Sequence, residues 1–195
     1  MKNKLGSVVS VDRIKFIRTR VPDVILVEPP VFKDARGFFL ETYHAKKYAK
    51  GGIAEKFVQC NRSHSVKGIL RGLHFQLAHP QGKLVSVIEG EIFDVAVDVR
   101  KGSPSFKQWV GLTLSGDNFK QLYLPPGFAH GFCTLSESVQ FQYQCTDFYN
   151  PTDEMGIRWN DPDLNIQWPL TEPTISDKDG ALPFIKEIIN KLPHI

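Results

Sequence analysis

A chain of 195 residues, 42% hydrophobic and 23% charged, fits one soluble globular domain that can bury roughly 70% of its unfolded surface, enough for a full core and a pocket. A formal net charge of +3, dispersed along the chain, gives no footprint for nucleic acid, and no apolar run approaches the ~20 residues a membrane-spanning helix needs. The three cysteines, Cys60, Cys133 and Cys145, form no CxxC pair; they support neither a disulfide framework nor a zinc knuckle and fit reduced thiols in the cytoplasm.

With 14 Phe against 2 Met, 15 Gly and 13 Pro, the composition favours strands broken by turns. Residues 1–12 read as a loose leader and 13–195 as a single domain. The early basic residues (Lys2, Lys4, Arg13, Lys15, Arg18, Arg20) read as a solvated arm. A short strand over 24–27 stops at Pro29 and Pro30. The turn Asp34-Ala35-Arg36-Gly37 leads into a strand over 38–41, and 42–50 holds helix formers ending at Gly51-Gly52. The Asn61-Arg62-Ser63 sequon is incidental without a secretory route.

From 84 to 100 the chain alternates: Phe93, Val95, Val97 and Val99 share one face, Asp94, Ala96, Asp98 and Arg100 the other. This predicts a half-buried strand with Asp94 and Asp98 on its polar face, interrupted at Gly90 by a hairpin turn or bulge. Further strands are predicted over 109–114, 120–124 and 139–146, and a second helix over 182–192. Short strands at this spacing predict a mostly β fold, a double-sheet jelly-roll barrel with short peripheral helices.

Two segments carry candidate chemistry: Gly68-Ile69-Leu70-Arg71-Gly72-Leu73-His74-Phe75-Gln76 with Pro80-Gln81-Gly82-Lys83, and Pro125-Pro126-Gly127-Phe128-Ala129-His130-Gly131-Phe132. Their layout resembles the cupin superfamily. A metal-binding cupin typically has His-x-His followed by a Glu. Here the pair is His74 and Gln76, and Lys83 stands where an acidic ligand is expected, so no metal is predicted. Acid–base chemistry remains. A histidine titrates near neutrality, with an ordinary pKa of ~6.5, which suits His74 as a general base. Alternation points Tyr143 into the barrel, where a phenol can donate a proton. Lys83 and Arg71 can stabilise an enolate or a phosphate. Asp177 and Asp179 offer carboxylates for His74, although spacing alone does not bring either to it. Taken singly, each of these residues has an ordinary structural reading: a strand histidine, a core phenol, a solvated lysine. One conflict stands out. Strict alternation puts Arg71 and His74 on opposite faces, and a bulge at Gly72 is the expected remedy.

The combination is more specific. Arg71-Gly72-Leu73-His74-Phe75-Gln76, Pro80-Gln81-Gly82-Lys83, the run from Gly90 to Asp98, Pro126-Gly127-Phe128-Ala129-His130-Gly131-Phe132 and Tyr143-Gln144-Cys145-Thr146 occur in order. From about residue 21 to about 183 this closely resembles the dTDP-4-dehydrorhamnose 3,5-epimerase family. The resemblance implies a jelly-roll homodimer, no cofactor, and a dTDP-linked 4-keto-6-deoxyhexose inverted on each side of its ketone. It implies His74 as base, Tyr143 as acid, Asp179 orienting the base with Asp177 as fallback, and Lys83 on the enolate oxygen. It places Arg71 and His130 near sugar and diphosphate. Arg36, Phe39 and Glu41 are implied to bind substrate partly across the dimer, and Gln59, Asn61 and Tyr149 also lie in matching segments. The rival readings are an epimerase of one centre only, a non-catalytic sugar-nucleotide binder, and a metal-dependent oxygenase.

Overall fold

The computed structural model describes residues 6–194. Its strands in chain order are β1 (Val8–Val11), β2 (Ile14–Arg18), β3 (Ile25–Glu28), β4 (Phe32–Asp34), β5 (Gly37–Phe39), β6 (Gln59–Val66) and β7 (Leu70–Gln76). They continue as β8 (Lys83–Glu89), β9 (Glu91–Asp98), β10 (Trp109–Ser115), β11 (Gln121–Leu124), β12 (Phe128–Thr134), β13 (Ser138–Cys145) and β14 (Glu154–Gly156). Helix α1 (Ala45–Lys50) follows β5, and α2 (Asp177–Gly180) and α3 (Ile185–Ile188) follow β14, α3 running into a 3-10 turn over Ile189–Lys191.

The strands form a seven-stranded sheet in the order β1-β2-β3-β11-β8-β13-β6 and a five-stranded sheet in the order β10-β9-β12-β7-β14; β4 and β5 make a separate hairpin. This is the mostly β jelly roll that the strand spacing implied. The main core lies between the sheets. Leu26, Val85, Leu122, Val139 and Phe141 of the larger sheet meet Ile92, Ala96, Val110 and Phe132 of the smaller one. Tyr48 of α1 covers the outer face of the larger sheet with Ile14, Phe16 and Tyr123. Ile185 and Ile188 of α3 cover the outer face of the smaller one with Val95, Val97 and Leu164.

That second cover changes the reading of β9. Val95 and Val97 point outward but lie under the C-terminal segment, and both are fully buried. Asp94 and Asp98 are buried too, at 0% exposure, so neither belongs to a solvated face. Asp94 meets His130, and Asp98 takes the Arg100 guanidinium and the hydroxyls of Ser103 and Ser105. Buried charge requires such partners. Gly90 is likewise not a hairpin turn. β8 sits between β11 and β13, whereas β9 sits between β10 and β12, so Gly90 passes the chain from one sheet to the other. Its φ is +83°, and a Cβ there would lie 2.1 Å from the Ser138 carbonyl oxygen, so only glycine fits.

The leader is also more structured than expected. Residues 8–11 form β1, paired with β2 at the edge of the larger sheet; residues 1–5 lie outside the described residues. The helix expected over 42–50 begins at Ala45, and the one expected over 182–192 is α3 with its 3-10 extension. Among the described residues no helix is long and apolar enough to cross a membrane.

Candidate active site

β7 lies between β12 and β14, with His74 opposite His130 on one side and Gly156 on the other. Along β12 the register changes: His130 pairs with His74, but Phe132 pairs with Arg71, so β7 carries one extra residue. The irregularity centres on Gly72, at φ +113°, where a Cβ would lie 2.6 Å from the His130 carbonyl oxygen and 2.7 Å from Gly131 Cα. The bulge breaks the strict alternation, and Arg71 and His74 line one cleft.

Asp179 partners the His74 imidazole. After β14 the chain returns to β7 through a bridge between Ile69 and Thr174, and Ser176 then caps α2 by accepting the Asp179 N–H at 3.1 Å. Asp179 is thereby buried with Oδ1 2.8 Å from His74 Nε2, while Oδ2 accepts the Gly72 N–H at 3.1 Å. Of the two candidate carboxylates, Asp179 is the one on His74. Burial pushes its carboxyl up, but the hydrogen bond and charge of His74, with the N–H of Gly72 and the capping Ser176, outweigh this and hold it below the usual carboxylate range.

The facing wall comes from the other sheet. Lys83 pairs with Cys145 across β8 and β13, and Tyr143 pairs with Val85 on β8 and Asn61 on β6. Residues directly opposite, and those two positions along, share a face. Lys83, Tyr143 and Asn61 therefore point together toward His74. Burial pulls the Lys83 ammonium below the usual lysine range, against a smaller upward pull from Cys145, Glu154 and Asp94. Burial pushes the Tyr143 phenol up, so it keeps its proton at neutral pH.

His74, Lys83 and Tyr143 stand where two lobes of the cleft meet, each with a volume of about 320 Å³. Gln59, Asn61, Gln81, Tyr149 and Glu154 line one lobe; Arg71, His130, Phe141, Lys178 and Asp179 line the other. His130 is held by Asp94 at 2.8 Å and stacks on Phe141 at 6.0 Å. Arg71 is steadied by a hydrogen bond to Ser65 Oγ. The Gln59 amide donates to Asn61 Oδ1 and accepts the Tyr149 N–H, so it shapes this lobe as well as lining it.

Three residues singled out in the sequence are not brought to the cleft within one chain. Arg36 turns back on Asp34, its side chain 90% exposed; Phe39 lies exposed on the β4–β5 hairpin; Glu41 pairs with Lys47. Conversely, sequence reasoning missed Glu154 and Lys178. Lys178 sat unnoticed inside Ser176-Asp177-Lys178-Asp179, and Glu154 follows a turn with no motif to mark it. Among the described residues, no three His, Cys, Asp or Glu side chains converge as a metal-holding group.

An imidazole backed by a carboxylate stands on one sheet, and a protonated phenol and a buried cation stand on the other. This arrangement can take a proton from one face of a ring and return one to the opposite face, with charge stabilised between.

Comparison with known proteins agrees. The profile of the dTDP-4-dehydrorhamnose 3,5-epimerase family matches residues 18–187. The Shigella flexneri dTDP-4-dehydrorhamnose 3,5-epimerase is 52% identical over 165 residues, 84% of this chain and 91% of that protein. The Legionella pneumophila dTDP-6-deoxy-D-glucose-3,5-epimerase, solved in complex with dTDP-4-keto-L-rhamnose, superimposes with a TM-score of 0.91 at 49% identity, over 93% of this chain and 98% of that one. A Streptomyces bikiniensis 3'-monoepimerase in complex with dTDP-quinovose matches with a TM-score of 0.83 at 30% identity, over 89% of this chain and 90% of that one. This chain belongs to the dTDP-4-dehydrorhamnose 3,5-epimerase family and is an enzyme of the isomerase class.

Proposed function

We propose that the cleft inverts C3 and C5 of dTDP-4-keto-6-deoxyglucose to give dTDP-4-keto-L-rhamnose, the conversion that supplies dTDP-L-rhamnose. The observation that carries this reading is the division of labour between the sheets. The His74–Asp179 pair, with 2.8 Å between nitrogen and oxygen, belongs to one wall, and Tyr143 and Lys83 to the other. A hydrogen beside a ketone becomes removable when the negative charge that develops on the oxygen is stabilised as it forms. Lys83 supplies the positive charge that stabilises it, His74 takes the proton, and Tyr143 returns one to the opposite face. Asp179 holds the imidazole and stabilises its charged form.

Arg71 and His130 reach the sugar and diphosphate from one lobe, and Gln59, Asn61 and Tyr149 receive the nucleotide-sugar in the other. Arg36, Phe39 and Glu41 act from a second copy of the chain. The exposed aromatic hairpin, with Phe38 58% and Phe39 68% exposed, suits burial in a homodimer. The free thiols of Cys60, Cys133 and Cys145 fit a cytoplasmic enzyme.

The test is incubation with dTDP-4-keto-6-deoxyglucose in heavy water, followed by NMR. Deuterium enters at both C3 and C5 with inversion at each, and His74→Ala abolishes both exchanges. Exchange and inversion at C3 alone would assign the narrower activity of the Streptomyces relative. No exchange by the folded wild-type protein would defeat the reading.

A further inference from the structure

Asp179 sits on a helix of four residues, and so short a helix does not hold itself together. Its place beside His74 is therefore set by what anchors the chain on either side of α2. Upstream the anchor is β7: the Leu70 N–H donates to the Thr174 carbonyl and the Thr174 N–H to the Gly68 carbonyl, each at 2.9 Å. Downstream the anchor is Arg158.

Arg158 follows β14. Ile157, just before it, exchanges both backbone hydrogen bonds with Leu73, at 2.9 and 3.1 Å, so the ladder onto β7 runs on past Gly156 and ends beside Gly72. From that fixed backbone Arg158 makes three contacts with the chain leaving α2. Its N–H donates to the Pro183 carbonyl at 2.9 Å, its Nε donates to the Leu182 carbonyl at 2.9 Å, and its guanidinium lies 4.7 Å from the centre of the Phe184 ring. The Leu182 side chain in turn packs on Gly156, where a Cβ would lie 2.7 Å from its methyl carbons. Asp161 extends the anchor. Its N–H donates to the Arg158 carbonyl at 3.1 Å, and its buried carboxylate accepts the Ile185 N–H at 2.6 Å. Among the described residues, those lining the two lobes of the cleft do not include Arg158 or Asp161.

We propose that Arg158 is a positioning residue for the proton transfer: by tying residues 182–184 to the end of β14, it holds Asp179 where its carboxylate orients His74. The inference rests on the function proposed above, with His74 as base, and deepens it. β7 carries His74 and Gly72, β14 lies on β7, and Arg158 ties the returning chain to β14. Asp179 meets two groups of β7 at once, His74 Nε2 and the Gly72 N–H, so a small shift of α2 weakens both contacts. A misplacement of about 1 Å at reacting groups costs up to roughly 10²-fold in rate. Arg158 touches neither His74 nor the cleft, so its contribution passes through Asp179.

The experiment measures kcat and KM for deuterium entry beside the substrate ketone, with amide hydrogen exchange read by mass spectrometry. The proteins are the wild type, Arg158→Ala, Arg158→Met, Arg158→Lys, Asp179→Asn, and each of the first two combined with Asp179→Asn. Arg20→Ala is the control. Arg20 makes the same kind of clamp at the opposite edge of the smaller sheet, with Nε donating to the Trp109 carbonyl at 2.7 Å and its guanidinium 4.3 Å from the Trp109 ring centre. Arg158→Ala lowers kcat about 10–10²-fold with KM within about twofold, and exchange quickens at Gly180, Ala181 and Leu182 but not in β9. Arg158→Met keeps the aliphatic stem on Phe184, loses the donor and falls in the same direction; Arg158→Lys keeps a donor and recovers part of the loss. In the Asp179→Asn background either loss shrinks to less than about threefold, because both substitutions act through one carboxylate. Arg20→Ala lowers Tm and leaves kcat unchanged. Unchanged kcat in a folded Arg158→Met protein, a rise in KM at constant kcat, additive losses in the double variants, or an equal fall of kcat in Arg20→Ala would overturn the inference. Should Arg158→Ala fail to fold, Arg158→Met and its double variant decide the question. If the folded wild type shows no deuterium entry, the functional reading falls and this inference with it; if the wild type exchanges, Asp179→Asn does not, and Arg158→Met matches the wild type, only this inference falls.

Discussion

Asp179→Asn tests the candidate base without removing it. In the wild type, Asp179 Oδ2 accepts the Gly72 N–H at 3.1 Å and Oδ1 faces His74 Nε2 at 2.8 Å. Asparagine has one acceptor oxygen and one amide nitrogen. The Gly72 N–H can only donate, so the asparagine oxygen must turn toward it. The NH2 group then faces His74 and donates to Nε2, which must be unprotonated to accept. The imidazole proton is thereby forced onto Nδ1, the nitrogen left for the substrate, and a protonated nitrogen cannot act as a base. The opposite rotamer would set two donors, NH2 and N–H, against each other in a buried site. Locking an imidazole in the wrong tautomer lowers kcat by roughly 10³–10⁴-fold, about 4–5.5 kcal/mol of barrier. The substitution keeps size and the Gly72 hydrogen bond, so thermal unfolding stays near wild type. The assay is the rate of deuterium entry at the carbons flanking the ketone, with Tm measured in parallel. A folded Asp179→Asn protein that exchanges within tenfold of wild type would refute the tautomer reasoning.

Three further outcomes follow from the same geometry. Tyr143→Phe keeps His74 and loses the donor on the facing wall; deuterium still exchanges into recovered substrate, while NMR shows inversion falling by about 10²-fold or more. Lys83→Gln lowers kcat by roughly 10²–10³-fold. Because burial sets the Lys83 pKa below the usual ~10.4, its charge disappears as pH rises through that lowered value; wild-type kcat falls on that alkaline side, and Lys83→Arg moves the fall to higher pH. The Tyr143 phenol is pushed up, so it does not supply this limb. Gly72→Ala adds a Cβ 2.6 Å from a backbone oxygen at φ +113°; it destabilises by at least about 2 kcal/mol and lowers Tm by roughly 4 °C or more in thermal denaturation.

The legibility of this protein in its sequence was uneven, for physical reasons. Alternation identified the strand carrying Tyr143 and its inward direction, because one face of β13 packs in the core. The same rule misplaced Asp94 and Asp98. Period 2 separates the faces of a strand but does not say which faces meet water, and here the C-terminal segment covers the outer one. At Gly72 the parity conflict between Arg71 and His74 was itself the signal, since a glycine between two residues needed on one side marks a bulge. Asp179 lies 105 positions from its histidine on a four-residue helix, too short for any periodicity, and only the family motif pointed to it. Arg36, Phe39 and Glu41 matched that motif too, yet a single chain leaves them outside the cleft.

The placement of the proposed base and acid on separate sheets also bears on how many carbons are inverted. His74 is fixed by the bulge, by Asp179 and by its pairing on both sides; Tyr143 is fixed between two strands. Neither can travel between C3 and C5. With His74 as base and Tyr143 as acid, as proposed, these fixed walls reach a second carbon only if the ring turns between them after the first inversion. On the proposed reading, whether it can turn depends on the residues of the two lobes that hold the rest of the substrate. A 3'-monoepimerase with the same fold is then no contradiction. On the proposed reading one base serves both carbons, so Asp179→Asn should lower exchange at C3 and at C5 alike.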